Sequence, residues 1–160
     1  MDWEVFNRRW QAYGFDPAKC VEIACGAGRI TNQMVSTFDH VVALDVSPGM
    51  IAYAKQRVAG EKVTFHVTDG RSIPLEDGSV AAAFSNHAFH NFDSVEDGAQ
   101  YFEECARVLA EGGTLMINLD VHEYPVPGNL FGMHESFVKL QKGLYSRAMK
   151  LTAGLVERQA

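Results

Sequence analysis

The stretch "VEIACGAGRIT", residues Val21–Thr31, decides the fold of this chain. A short apolar run leads into small residues and glycines, and a segment of helical character follows. An apolar run of this length bounded by glycine is typical of a buried strand. The glycines let a ligand approach the backbone, and the helix start beside them offers free N–H groups. The stretch therefore predicts a strand, a ligand-binding turn and a helix.

The composition is that of one globular domain. The chain has 160 residues, of which 47% are hydrophobic, which is enough to bury a core. No apolar run approaches the ~20 residues of a membrane helix, and the charged start "MDWEVFNRRW" is unlike a signal peptide. The formal net charge of −6 argues against a nucleic-acid partner. We expect a cytoplasmic protein with no membrane or nucleic-acid partner.

The cysteines predict neither a zinc site nor a disulfide framework. Cys20, Cys25 and Cys105 form no CxxC pair and leave an odd thiol, which is typical of a reducing compartment. We expect all three to be small packing residues.

Strand-like and helix-like segments alternate through the middle of the chain. Strands are predicted at 20–24, 40–46, 62–67, 79–85 and 113–119, and helices at 30–38, 48–58 and 94–110. Asp93 is expected to cap the third helix and Gly112-Gly113 to end it. This alternation predicts an α/β fold, a doubly wound and mostly parallel sheet of about five strands with helices on both faces.

The whole chain, residues 1–160, is predicted to be a single domain with a core at 18–119. Residues 1–17 form an N-terminal helix whose apolar stripe includes Trp3 and Phe6, and which either covers a sheet face or closes over a ligand. Residues 120–160 begin as a loop rich in proline and glycine and continue as a helix from about 133 to 157.

Acidic side chains accompany three successive strands at the edge where such sheets bind ligands. Glu22 lies inside the first strand, Asp45 ends the second and Asp69 follows the third. Asp45 is suited to ribose hydroxyls but could equally cap the next helix. Asp69 is suited to an exocyclic amine but could equally form a plain Asp-Gly turn.

The turn disfavours a pyrophosphate as its ligand without excluding one. A dinucleotide fingerprint requires glycine where Thr31 stands, and no Walker sequence occurs in the chain. The carboxylate of Glu22 would repel a phosphate but would attract an ammonium group.

These segments together resemble the class I S-adenosylmethionine-dependent methyltransferases over residues 19–119. "VEIACGAG" is similar to the acid-x-Gly-x-Gly-x-Gly motif of that family, and "ALDVSPGMIAYAKQR" is similar to its ribose-binding segment. "VTDGRSIPLEDGSVAAAFSNHAFHNF" resembles its adenine-binding region and the segment after it, and "CARVLAEGGTLMI" resembles the approach to strand five. The similarity is greatest to small-molecule methyltransferases such as those of quinone biosynthesis.

The resemblance implies S-adenosyl-L-methionine as the cofactor and assigns roles along the chain. It places Glu22 by the ammonium group, Asp45 on the ribose hydroxyls, and Asp69 on the edge of the adenine. The implied cofactor-binding residues are Glu22, Ala24, Gly26, Gly28, Asp45, Val46, Met50, Asp69, Gly70 and Asn86. In this assignment Val46 and Met50 flank the adenine, and Asn86 lies by the sulfonium.

The chain departs from the family pattern in two places. Ala24 stands where the family usually has its first glycine, which is expected to weaken cofactor affinity at most. Family members generally continue to two further strands, whereas this chain has one helix after strand five. Strand five is therefore expected to be an edge that a homodimer closes, through that strand or the C-terminal helix.

The leading hypothesis is methyl transfer to a small-molecule acceptor. His87, His90 and His122 are candidate catalytic bases, although each could be an ordinary polar loop residue. No metal site is expected, because the His87–His90 spacing lacks a third ligand. A cofactor-binding protein without transferase activity is the alternative, and a nucleotide-dependent oxidoreductase is disfavoured by Thr31 and Glu22.

Overall fold

The protein forms an α/β domain built on one five-stranded sheet. The computed structural model describes residues 3–4, 7–8, 16–86, 88, 92 and 94–118. The strands are β1 (Lys19–Ile23), β2 (His40–Asp45), β3 (Val63–Val67), β4 (Val80–Asn86) and β5 (Leu109–Asn118). The helices are α1 (Thr31–Met34), α2 (Pro48–Arg57) and α3 (Val95–Val108). The predicted C-terminal loop and helix lie outside the described residues, as do Phe6 and Leu119.

All neighbouring strands are parallel, in the order β3-β2-β1-β4-β5. The winding direction reverses between β1 and β4, because β2 lies on one side of β1 and β4 on the other. The predicted doubly wound fold is therefore confirmed. In this fold the carboxyl ends of the strands at the reversal leave a crevice in which ligands bind.

The sheet has an apolar layer on each face. In β2, Val42 and Leu44 pack in the cluster that contains Tyr101 and Phe102 of α3. Val41, on the alternate face, packs in the cluster that contains Met34 and Phe38. This alternation follows from the two-residue period of a strand.

The N-terminal residues that the structure describes also pack on the sheet. Trp3, Glu4, Asn7 and Arg8 are helical. The Trp3 ring is buried and meets the Phe84 ring edge-on, with centroids 5.7 Å apart and planes at 87°. At Trp3, therefore, the N-terminal segment covers a sheet face.

Two predicted boundaries near the first turn are wrong. Strand β1 ends at Ile23 rather than Ala24, because Ala24 has φ 56° and already belongs to the turn. The predicted helix 30–38 contains only the single turn α1, and non-helical turns follow to residue 37. Helix α2 begins at Pro48 as predicted, with Ser47 Oγ accepting a hydrogen bond from Met50 N at 3.3 Å.

The ends of α3 also differ from the prediction. Ser94, not Asp93, is the N-cap, and its Oγ accepts a hydrogen bond from Asp97 N at 3.0 Å. The helix ends at Val108, and Gly112 and Gly113 lie within β5 instead of terminating the helix. These glycines lie where the register of β4 and β5 shifts, between the Val80–Leu109 pair and the Ala82–Thr114 pair.

The three cysteines are buried. Cys20, Cys25 and Cys105 are buried free thiols, which confirms the prediction of packing residues.

Among the described strands, β5 pairs with β4 alone and forms one border of the sheet. Across the described ranges, the helices lack the length and apolar character that a membrane crossing requires.

Candidate functional site

A cavity of about 440 Å³ lies at the carboxyl ends of the strands. Five residues predicted for the site line it, namely Ala24, Asp45, Val46, Asp69 and Gly70. The other lining residues are Ile23, Arg71, Ala88, Phe92, Asp97 and Tyr101. The loops after β1, β2, β3 and β4 thus meet where the parallel topology places them.

The turn after β1 brings left-handed backbone to the cavity. Ala24 has φ 56°, Gly26 φ 54° and Gly28 φ 72°. A Cβ on Gly26 would meet nothing within 4 Å, so there is open space beside this glycine, which is not among the residues that line the cavity. A Cβ on Gly28 would lie 3.0 Å from Ala54 Cβ and 3.2 Å from Val58 Cγ2, so this glycine is required by packing against α2. Gly28 does not line the cavity.

Gly28→Ala is expected to destabilise the fold strongly. A left-handed backbone costs alanine about 1–2 kcal/mol, and overpacking against α2 adds about 1–3 kcal/mol. Chemical denaturation of the full chain would measure the free energy of unfolding. Gly112→Ala is the matched control, because Gly112 has φ 75° and a Cβ there meets nothing within 4 Å. Equal losses in the two variants would contradict the packing role.

Asp45 joins the turns that follow β1 and β2. Its Oδ2 accepts a hydrogen bond from Gly26 N at 2.8 Å, and its Oδ1 accepts one from Ser47 N at 2.9 Å. The side chain is buried at the cavity wall. Each carboxylate oxygen has a second lone pair, so both can still accept a hydrogen bond from a ligand hydroxyl.

The loops after β2 and β3 touch through Val46 and Gly70. A Cβ on Gly70, whose φ is 74°, would lie 2.9 Å from Val46 Cγ1, so only glycine leaves room there. Val46 is 60% exposed and lines the cavity. An apolar side chain exposed at a cavity wall is a suitable surface for the face of a flat base.

Asp69 forms the Asp-Gly turn that was one of its two predicted roles, and it also lines the cavity, as its predicted role toward an exocyclic amine requires. Its Oδ1 accepts hydrogen bonds from Arg71 N at 2.9 Å, Ser72 N at 3.0 Å and Ser72 Oγ at 3.2 Å. These hydrogen bonds, led by the one from Arg71 N, lower the pKa of Asp69 below its ordinary value. Asp69 is therefore a carboxylate acceptor at neutral pH.

Glu22 lies beneath the turn and does not line the cavity. The side chain is 3% exposed, and Thr31 Oγ1 donates a hydrogen bond to its Oε2 at 2.5 Å. Burial raises the pKa of Glu22 to about 8 against the opposing effect of this hydrogen bond. Thr31 stands where a dinucleotide fingerprint requires glycine. In the structure it is the hydrogen-bond partner of Glu22, the acid in β1.

The remaining predicted residues are placed as follows. Met50 is exposed at the start of α2, and Asn86 is the last residue of β4, and neither lines the cavity. His87, His90 and His122 lie outside the described residues.

Helix α3 contributes to the site, which was not predicted from the sequence. Asp97 and Tyr101 are four residues apart on one side of this helix, and both line the cavity. Tyr101 also packs on Phe92, with ring centroids 5.4 Å apart. The sequence signal for this contribution was the polar pair Asp97 and Tyr101 at helical spacing. The prediction considered only the neighbouring apolar stripe through Ala99 and Phe102.

The charges around the cavity favour a ligand that carries positive charge. Asp45, Asp69 and Asp97 contribute carboxyl groups to the lining, and Arg71 contributes the guanidinium. Carboxyl groups at a partly enclosed wall raise the local concentration of cations.

Comparison with known proteins gives matches to methyltransferases. The family described as "Methyltransferase domain" matches residues 21–117. The chain is 33% identical over 102 residues to malonyl-[acyl-carrier protein] O-methyltransferase of Hahella chejuensis, covering 62% of this chain and 36% of that protein. It is 30% identical over 110 residues to demethylmenaquinone methyltransferase of Clavibacter sepedonicus, covering 68% and 43% respectively. The chain thus spans less than half the length of these curated relatives.

A solved structure shows the same fold. An S-adenosyl-L-methionine-dependent methyltransferase from Methanococcus maripaludis superposes with a TM-score of 0.64 at 24% identity. The match covers 71% of this chain and 53% of that one.

Proposed function

We infer the function from the fact that this chain belongs to the class I S-adenosylmethionine-dependent methyltransferases. The proposed function is the transfer of a methyl group from S-adenosyl-L-methionine to a small-molecule acceptor. S-adenosyl-L-methionine is the methyl donor that the family implies. The observation that carries the proposal is one cavity at the strand ends lined by both Asp45 and Asp69. Carboxylates suit ribose hydroxyls and an exocyclic amine, and would repel a phosphate.

The cofactor-binding residues are proposed from their positions around this cavity. Asp45 accepts the ribose hydroxyls, Asp69 accepts the amine of the adenine, and Val46 lies against the face of the base. The open position at Gly26 supports close approach of the methionine end to the backbone. Met50 and Asn86 are proposed to contact the ligand from the edges of the site.

Glu22 is proposed to act on the ammonium group from beneath the turn. Burial raises the pKa of Glu22 to about 8, so this role requires that the bound ammonium group favours the carboxylate form. Gly28 and Ala24 are proposed to act through the shape of the turn, since both have left-handed backbone.

The bound cofactor supplies a methyl group on a positively charged sulfur, which an acceptor receives by in-line displacement. For this chemistry the protein chiefly holds the acceptor in line. A base is needed when the acceptor must lose a proton, and His87, His90 and His122 are proposed for that role.

The acceptor is proposed to be a small molecule because of the named relatives. One is named for a malonyl group on acyl-carrier protein and the other for demethylmenaquinone. The rest of the acceptor pocket is proposed to involve residues beyond residue 117, where the family match ends.

The proposal is tested by ligand binding and by methyl transfer. Calorimetry should show binding of S-adenosylmethionine and S-adenosylhomocysteine and none of NAD. Incubation with cofactor labelled in the methyl group, in a cell extract, should transfer label to a small molecule. Binding of NAD alone would overturn the proposal. Cofactor binding without any labelled product would favour the alternative, a cofactor-binding protein without transferase activity.

A cytoplasmic homodimer is also proposed. The support is the position of β5, which borders the described sheet with β4 as its single strand partner there. A border strand can pair with another chain. Small-angle scattering at micromolar concentration should give the mass of two chains, and a monomer mass would contradict the dimer.

A further inference from the structure

Two charged residues of α3 form hydrogen bonds with the backbone of the loop that follows β3. Glu104 Oε2 accepts a hydrogen bond from Ile73 N at 2.9 Å, and Arg107 Nη2 donates one to Ile73 O at 2.8 Å. Arg107 Nη1 donates a further hydrogen bond to Leu75 O at 2.8 Å. Both backbone polar groups of Ile73 are thus bound by α3.

The two side chains are held in this arrangement by each other. Arg107 Nε donates to Glu104 Oε1 and Arg107 Nη2 donates to Glu104 Oε2, each at 2.8 Å. This paired hydrogen bonding lowers the pKa of Glu104 below its ordinary value, so Glu104 is a carboxylate at neutral pH. The planar guanidinium has five N–H donors, so it can make two hydrogen bonds to the carboxylate and one to each of two carbonyls, whereas an ammonium group has three donors.

The loop that these hydrogen bonds hold extends to the cavity. Ser72, the neighbour of Ile73, donates its N–H and its hydroxyl to Asp69 Oδ1. Asp69 and Gly70 line the cavity. A short path of hydrogen bonds and covalent bonds therefore runs from Arg107 through Ile73 and Ser72 to Asp69.

The other end of the same loop is bound by α3 as well. The Tyr101 hydroxyl is hydrogen-bonded to the side chain of Thr68. Ile73 is buried in the core cluster that contains Tyr101. The exposed Asp69–Ser72 turn is consequently anchored on both sides by one helix.

We propose that Arg107, together with Glu104, is a positioning residue that fixes Asp69 and Gly70 for recognition of the adenine. This inference rests on the proposed function, because it takes the base to lie against the Asp69–Gly70 turn. Neither residue lines the cavity, so neither would touch the ligand. Their contribution is to hold the Asp69 carboxylate at one place, so that it distinguishes an amine from a carbonyl on the base.

The test compares two ligands on the full chain. S-adenosylhomocysteine carries the exocyclic amine, and S-inosylhomocysteine carries a carbonyl in its place. The unmodified chain should bind the first at least about tenfold more tightly, since a hydrogen bond to a carboxylate is lost with the second. In Arg107→Gln this ratio should fall by about fivefold or more, because the loosened turn no longer discriminates. Calorimetry measures both dissociation constants on folded protein.

Asp77→Ala is the matched control. Asp77 Oδ1 also accepts a hydrogen bond from Arg107 Nη1, at 2.7 Å, but the Asp77 side chain is 82% exposed. It takes no part in the hydrogen bonds that α3 makes with Ile73 and Leu75. An exposed ion pair contributes little, so the ratio should stay at the unmodified value. Arg107→Lys keeps the charge and most of the stem but not the fork. It should give a smaller fall of the ratio, and it serves as the test variant if Arg107→Gln does not fold.

The outcomes separate this inference from the proposed function. An unchanged ratio in both Arg107 variants, with tight binding, would overturn the positioning role and leave the proposed function standing. An equal fall in Asp77→Ala would overturn it too, because it would point to surface charge. An unmodified chain that binds neither ligand, or binds both equally, would overturn the proposed contact of Asp69 and with it this inference.

Discussion

Replacement of Asp45 by alanine should reduce the affinity for S-adenosylhomocysteine at least about 100-fold. Hydrogen bonds to a charged group contribute about 1.5–3 kcal/mol each, so losing two ribose contacts costs about 3–6 kcal/mol. The Gly26 and Ser47 N–H groups also lose their acceptor, which loosens the turns after β1 and β2. Calorimetry on the full chain would measure the change.

Asp39→Ala is the charge-matched control for this variant. Asp39 is an exposed carboxyl residue away from the cavity lining, so its removal changes the net charge equally. Its affinity for the ligand should remain that of the unmodified chain. Full affinity in Asp45→Ala would exclude the ribose role even if the family assignment holds. An equal loss in both variants would point to net charge instead.

Glu22→Gln should remove a large pH dependence of stability. Burial raises the pKa of Glu22 from 4.5 to about 8 in the folded protein. Between these values the folded state holds a proton that the unfolded state has lost, so the free energy of unfolding falls as pH rises. The stabilisation is complete below pH 4.5 and is lost once the pH has passed about 8. At about 1.36 kcal/mol per pH unit, the whole interval corresponds to about 5 kcal/mol.

Urea denaturation at pH 5, 7 and 9 would measure this effect as the difference between the two chains. Glutamine stays neutral and can still accept the hydrogen bond from Thr31 Oγ1 through its amide oxygen. The variant should therefore gain stability relative to the unmodified chain as pH rises. Glu103→Gln, an exposed change on α3, should leave the pH dependence as it is. Parallel curves for Glu22→Gln and the unmodified chain would contradict the effect of burial.

Most of the sheet could be predicted because its signals are local. Apolar runs and glycines mark each strand within a few residues, and the five predicted strands all occur. The boundaries that were wrong depend on partners far along the chain. Gly112 and Gly113 are typical of a helix stop, but they lie inside β5, between residues that pair with β4.

The candidate site could be predicted in part for the same reason. Asp45 ends β2 and Asp69 lies two residues after β3, and parallel pairing brings such strand ends together. Gly28 was predicted to bind the ligand, and the structure places it against Ala54 in α2 and Val58 at the C-cap of that helix. A glycine that packs and a glycine that faces a ligand look alike in a sequence, since both lack a side chain.

The sequence by itself determined the fold class, the family and the edge of the sheet at which the acids gather, because strand period, turn residues and parallel topology are set by neighbouring positions. Only the tertiary structure decided which groups meet across the chain. It buries Glu22 against Thr31 beneath the turn "VEIACGAGRIT", and it joins Arg107 to Ile73 across 34 positions. Those contacts depend on the packing of α1 and α3 on the sheet, and packing distances cannot be read from spacing along the chain.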